Sequence, residues 1–99
     1  MEKRTNIFTG EICDKSEFVP KRIGRDHPDF DDGLTMLGIG DHYNALDVVA
    51  LWALPDLWIA ENLSGEFTTC VDQHEILSRD INEVVEWLWE NALEAYGNE

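Results

Sequence analysis

The stretch from Asp80 to Gly97, D-INEVVEWLWENALEAY-G, most constrains what this chain can fold into. At about 100° per residue, Ile81, Val84, Val85, Leu88, Trp89, Ala92, Ala95 and Tyr96 share one arc roughly 140° wide. Glu83, Glu86, Glu90 and Glu94 gather on the opposite side, and the stretch holds no Lys or Arg. The pattern predicts a single helix with a core face and an acidic stripe. Asp80 is its expected N-cap, with Glu83 three residues on as in a capping box. Gly97 suits the position after the helix end. Trp87 falls at the edge of the acidic side, off the apolar arc, with Leu93 on the stripe's other flank. Two readings of Trp87 stand open: an interface anchor, since Trp is enriched at binding hot spots, or a ring covered by another segment of the chain.

The charge elsewhere continues the stripe. The chain has 99 residues and a formal net charge of −14. Residues 1–25 hold six bases (Lys3, Arg4, Lys15, Lys21, Arg22, Arg25) and four acids, a surplus of +2. Residues 26–99 hold seventeen acids and one base, Arg79, a surplus of −16. Such a body repels nucleic acid and anionic lipid, which need basic contacts. Direct nucleic-acid or membrane binding is therefore excluded, and a basic protein is the natural complement. The other reading of the acids is solubility alone. The basic segment either contacts something acidic or folds over the chain's own acidic body, which offsets self-repulsion. A hydrophobic content of 43% with four Trp and four Phe is too apolar for a disordered chain, and the length suits one domain, 1–99.

No apolar run follows Met1–Arg4, and the longest one, Val48 to Leu54, is far too short to span a bilayer. Two cysteines make no disulfide framework. A reduced, cytoplasmic protein is expected.

Taken in order, residues 1–25 read as irregular or extended, with a short strand at Asn6–Thr9 and a turn at Thr9–Gly10. Residues 26–40 read as a loop, dense in turn formers. Its Asp29, Asp31 and Asp32 suggest calcium, but the Gly offset and the lack of later acids do not fit an EF-hand loop. Gly38-Ile39-Gly40 lacks the third glycine of a dinucleotide fingerprint. Asp41 is the expected cap of a buried helix over about 42–54; a buried strand gives the same apolar run, but length and three alanines favour helix. Residues 57–71 read as a hairpin about Ser64-Gly65 or as a short helix closed by Gly65. Asp72 to Arg79 is a connector. The expected fold class is α+β: a small single domain with a central buried helix and a C-terminal amphipathic helix packed on a small antiparallel sheet. An all-α fold follows if 57–71 is helical.

Catalytic signatures are missing. His27, His42, His74, Cys13 and Cys70 supply enough donors for zinc, and Cys70 and His74 share a face if their stretch is helical. No second closely spaced pair completes the structural-zinc pattern. Acid–base chemistry needs one carboxyl set apart in apolar surroundings, which a solvated stripe does not provide. No enzyme activity, metal or cofactor is expected.

On a helix, Glu83, Glu86, Glu90 and Glu94 repeat every ~4.5–6 Å along the axis. That is the scale of backbone charges on a nucleic-acid strand, about 3.4 Å in axial rise. The reading is an inhibitor that mimics nucleic-acid charge and blocks the basic DNA- or RNA-binding surface of a partner enzyme or complex. Its expected contacts are Glu83, Glu86, Trp87, Glu90 and Glu94, with Asp29, Asp31 and Asp32. In size, charge and helix pattern the chain resembles the small acidic proteins that phages use against restriction and CRISPR systems. That resemblance implies a site in the host cytoplasm. Two alternatives have the same face: an immunity or antitoxin protein masking a basic toxin's active site, with Trp87 dominant, and a generic acidic interaction domain.

Overall fold

The computed structural model describes residues 3–37, 47–71 and 73–95. The elements run β1 (Lys3–Asn6), β2 (Ile12–Asp14), a 3-10 turn (Lys15–Glu17), β3 (Lys21–Gly24), α1 (Phe30–Leu37), β4 (Val48–Leu54), β5 (Leu57–Asn62), β6 (Phe67–Val71), β7 (His74–Ser78), α2 (Ile81–Asn91) and β8 (Leu93–Ala95). Two helices pack on antiparallel sheets, so the fold is mixed α+β. One sheet has five strands in the order β3-β4-β5-β6-β7, and the other has three in the order β2-β1-β8.

The side-chain alternation of a strand explains how the helices sit. On β5, Leu57 and Ile59 join a core with Val84, Val85, Leu88 and Trp89 of α2. Trp58 and Ala60, pointing the other way, join a second core with Phe30, Leu34 and Leu37 of α1. The five-stranded sheet is thus covered on opposite faces by α2 and α1. Leu88 and Trp89 are fully buried, and a buried side chain of this kind contributes about 1.5–3 kcal/mol.

This layering corrects the helix expected over 42–54. Val48–Leu54 is strand β4, flanked by β3 and β5. A strand buried on both faces loses its polar alternation and reads as a continuous apolar run. Leu51 serves the α1 core and Leu54 the α2 core, with a register irregularity between Val48 and Ala50. Residues 42–46 of the expected helix, and its expected cap Asp41, lie outside the described residues. With eight strands described, the all-α alternative is overturned.

The loop expected over 26–40 contains α1. Phe30, Gly33, Leu34 and Leu37 follow the i, i+3, i+4, i+7 spacing of a helix face, and Phe30 and Gly33 are buried. Gly33 is what lets the helix approach. A Cβ placed there would meet Leu51 Cδ1 at 2.5 Å and Trp58 Cε3 at 2.9 Å. Gly38-Ile39-Gly40 lies outside the described residues.

The hairpin expected over 57–71 forms as β5–β6, paired through Ala60↔Thr68 and Glu61↔Phe67. Its loop is wider than two residues. The Asn62 side-chain carbonyl accepts from the backbone N–H of Ser64 and of Glu66, both at 3.0 Å. This is the local bonding that makes Asn a turn residue, and Gly65 takes the left-handed φ of 80° that follows. The connector expected over 72–79 holds instead a fifth strand, β7, in register with β6 from Val71↔His74 to Phe67↔Ser78.

The N-terminal segment is more ordered than an irregular arm. Its first strand is Lys3–Asn6 and not Asn6–Thr9, because residues 7–9 make the turn into β2. Asp14 caps the 3-10 turn in a capping box with Glu17. On β3, Arg22 Nε donates to Glu61 Oε1 at 3.1 Å, and Trp52 Nε1 donates to the same oxygen at 2.9 Å. One half-buried carboxylate so joins three adjacent strands.

The C-terminal helix is shorter than its pattern. It starts where expected, with the Asp80 side chain accepting from Asn82 N–H at 3.0 Å. It stops at Asn91 with Ala92 as C-cap, and Leu93–Ala95 leaves as β8 to pair with β1. The strand pairing wins because it buries Leu93 and gives the backbone of Ala92 to Leu93 partners in β1 and its turn, including Ile7 N–H to Ala92 O at 3.0 Å. Tyr96 and Gly97 lie outside the described residues. Among the described residues, no helix is long and apolar enough to cross a membrane.

Candidate partner-binding surface

The acidic stripe begins at the cap of α2. Asp80 N–H donates to Ser78 Oγ at 3.1 Å, and the Ser78 hydroxyl donates to Glu83. The expected capping box is thus relayed through Ser78, and Glu83 is exposed but engaged. Its carboxylate lies in the first turn, where the helix dipole favours negative charge.

Glu86 and Glu90 follow along the exposed side of α2, and each meets a base from the N-terminal segment. Lys15 Nζ lies 3.1 Å from Glu86 Oε2, and Arg4 Nη1 lies 3.4 Å from Glu90 Oε1. Both bases also pack on Trp89. Lys15 Nζ sits 4.9 Å and the Arg4 guanidinium 5.2 Å from the ring centroid, with Phe18 tilted against the indole at 5.1 Å. Arg4 also donates to Trp89 O at 2.9 Å, and its side chain is only 19% exposed. The basic segment therefore lies on the chain's own acidic helix. The carboxylates remain largely in solvent, where each pair contributes about 0–1 kcal/mol, so they are partly neutralised but accessible.

Glu94 does not continue the helical row. It is exposed on β8, opposite Thr5 of β1. Trp87 lies at the rim of α2, half-buried against the α2 core, with its backbone carbonyl accepting from Asn91 Nδ2 at 2.7 Å. Part of its ring surface is therefore committed to packing.

Asp29, Asp31 and Asp32 sit at the start of α1, on the opposite face of the five-stranded sheet. All three are exposed, as is Asp26. Asp31 and Asp32 occupy the first turn, again the favourable end of the dipole. Asp29 lies 3.9 Å from His27 Nδ1, and its N–H donates to that nitrogen at 3.1 Å. Among the described residues no ion pair engages Asp26, Asp31 or Asp32. The predicted contacts thus divide in two: Glu83, Glu86, Trp87 and Glu90 on α2, and the aspartates on α1. Asp14, Glu61 and Glu66 are half-buried, and every other described carboxylate is exposed.

Among the described residues no hydrogen bond joins a cysteine to a histidine; the Cys13 and Cys70 sulfurs each donate to a backbone carbonyl. Cys13 is buried in β2, and burial followed by the nearby Glu17, Asp14 and Asp56 pushes its thiol up from the ordinary value. Cys70 is exposed, yet burial of its sulfur and then Glu75 push it up too. Both favour the protonated thiol at neutral pH. The pair Cys70 and His74 does not share a face. His74 stands opposite Val71, the residue after Cys70, so the pleat directs the two side chains to opposite sides. Among the described residues no group of three His, Cys, Asp or Glu side chains is placed to hold a metal ion; His42 lies outside them.

Sequence reasoning found the carboxylates but missed which ones the chain itself engages. The surplus of bases in residues 1–25 beside an acidic body is a signal for such pairing, but not for its partners. No family model, curated protein or solved structure matches the chain.

Proposed function

We propose that this protein is a non-enzymatic inhibitor that presents carboxylates in place of nucleic-acid phosphates and occupies the basic DNA- or RNA-binding surface of a partner protein. The observation that carries the reading is the exposure of nearly all described carboxylates in a chain of net charge −14. They stand on both helices, on β7 and β8, and in the turns between elements. The contacts are Glu83, Glu86, Trp87, Glu90 and Glu94 on the α2 side and Asp29, Asp31 and Asp32 on the α1 side. Among the described residues no ion pair engages Asp31 or Asp32 of α1. On the α2 side a partner's Lys or Arg side chains compete with Arg4 and Lys15 for Glu90 and Glu86. A charge-led mechanism is preferred over a Trp87-led one, as in a toxin antidote, because Trp87 is half-buried in the protein's own core. A setting in phage defence against host nucleases, in the host cytoplasm, fits this chemistry.

The test begins with a pull-down from lysate to identify a basic partner. Labelled DNA or RNA is then titrated off that partner with the protein at rising salt. Stoichiometric displacement that weakens steeply with salt is expected. Displacement insensitive to salt and abolished by Trp87→Ala alone would transfer the function to the antidote class.

A further inference from the structure

A cleft of about 330 Å³ opens beside the C-terminal end of α1, lined by Phe8, Met36, Asp56, Trp58, Thr69 and Cys70 among others. It lies where the two cores meet: Leu57 of its lining belongs to the α2 core, and Leu37 and Trp58 pack on the α1 core. Its size is that of a pocket for a small ligand or an anchoring side chain. Its apolar rim stands out in solvent: Met36 is 72% exposed and Phe8 57%. Exposed apolar side chains that converge on a concavity mark a contact surface more than scattered ones do.

The cleft's charge is one-sided. Among the described residues, Asp56 is the one carboxylate in its lining and no base lines it. Asp56 is held in place by backbone geometry. Pro55-Asp56 forms the tight turn of the β4–β5 hairpin, closed by Leu54↔Leu57, and Asp56 takes a left-handed φ of 61°. Asp32 lies four residues before Met36, hence on the same side of α1. The wall on the sheet side is packed and hydrogen-bonded. Trp58 packs on the α1 core, and Thr69 Oγ1 donates to Trp58 O at 2.7 Å.

We propose that this cleft receives an apolar anchor side chain of the basic partner, flanked on the partner by a Lys or Arg that meets Asp56. The inference rests on the charge-led function above and adds the site that fixes the partner's register. Charge alone steers association but discriminates weakly among basic surfaces. An apolar anchor seated in a pocket supplies the discrimination. The stem of a flanking Lys or Arg lies along apolar surface while its head reaches the carboxylate.

The probe is N-acetyl-Phe-Arg-amide, titrated into the 15N-labelled protein. Saturable shifts are expected at the amides of Asp56, Thr69 and Cys70 and at the Trp58 indole. N-acetyl-Phe-Gln-amide keeps the anchor without the charge and should bind about two- to fivefold more weakly, the worth of an exposed charge pair. Asp56→Asn suits the left-handed turn, since Asn tolerates that conformation, so the variant should fold. It should weaken the Arg dipeptide by the same factor and leave the Gln dipeptide unchanged. Met36→Ala should weaken both. Shifts confined to Asp31 and Asp32 would overturn the pocket while leaving the charge-led function standing. Equal binding of both dipeptides would overturn the role of Asp56. Pocket binding by the dipeptide in a protein that displaces no nucleic acid from its partner would instead sink the function and spare the cleft's chemistry.

Discussion

Replacing Gly33 by Ala sets two effects of known size against each other. Helix propensity alone favours the change, because Gly in a helix interior is about 0.8–1.0 kcal/mol worse than Ala. Packing opposes it. The added methyl would lie 2.5 Å from Leu51 Cδ1 and 2.9–3.0 Å from two atoms of the Trp58 ring. Leu51 is fully buried, so its methyl has nowhere to swing, and an indole cannot bend. Overpacking of this kind costs about 1–3 kcal/mol. The packing term wins by about 1 kcal/mol, which for a domain this size is a fall in Tm of about 4–8 °C. Thermal and urea melts followed by circular dichroism read it. In a Leu51→Ala background the collision is partly relieved, so Gly33→Ala should cost less there or become stabilising. That would be a coupling between contacting residues of about 0.5–3 kcal/mol. A Gly33→Ala protein that melts higher than wild type, in step with propensity, would refute the claim that close approach of α1 to the sheet fixes this residue. The change also bears on the proposed contacts, because α1 carries Asp31 and Asp32 and borders the cleft.

Four further outcomes follow from the contacts. Arg4→Ala should cost about 1.5–3 kcal/mol in a urea melt, since it removes a charged hydrogen bond to Trp89 O at a mostly buried side chain. Lys15→Ala, which loses an exposed pair, should cost about 1 kcal/mol or less, with part of that lost in high salt. Asp14 is held below the usual carboxylate range, chiefly by the Ser16 backbone N–H. Its contribution is present above the unfolded carboxylate value and disappears as pH falls through the lower folded value. Asp14→Ala should therefore flatten the stability profile at acid pH in urea melts. The Cys70 thiol is pushed up by burial and then by Glu75, so alkylation by iodoacetamide should be slow near neutral pH and accelerate only above the ordinary thiol range. Glu75→Gln should move that acceleration to lower pH, and an unmoved profile would contradict the assignment.

The elements legible in the sequence are those whose signals are local. Asp80 marks the start of α2, and the turn chemistry between β5 and β6 marks a hairpin. The misread elements owe their pattern to distant partners. β4 looks helical because its side chains feed both cores, Val48 and Leu51 on one side and Leu54 on the other, which removes the alternation that identifies a strand. α1 carries the spacing Phe30, Gly33, Leu34, Leu37, but Asp31, Asp32 and Gly33 masked it as turn formers. The end of α2 is set by the pairing of β8 with β1 at the far end of the chain, and no wheel drawn from 80 to 97 contains that information. The candidate site divides the same way. Its carboxylates are plain in the composition, but Lys15 reaches Glu86 across 71 positions. The cleft is assembled from Phe8, Met36, Asp56 and Cys70, which no spacing relates.

The central claim is that exposed carboxylates, and not one anchor residue, carry inhibition. The most direct measurement is the displacement of labelled nucleic acid from the partner by two variants compared with wild type. One replaces Glu83, Glu86, Glu90 and Glu94 with Lys, and the other replaces Asp29, Asp31 and Asp32 with Asn. Each should lose most of the blockade while keeping the wild-type circular dichroism spectrum. Stoichiometric blockade by the four-glutamate reversal, undiminished at the same salt, would contradict the account.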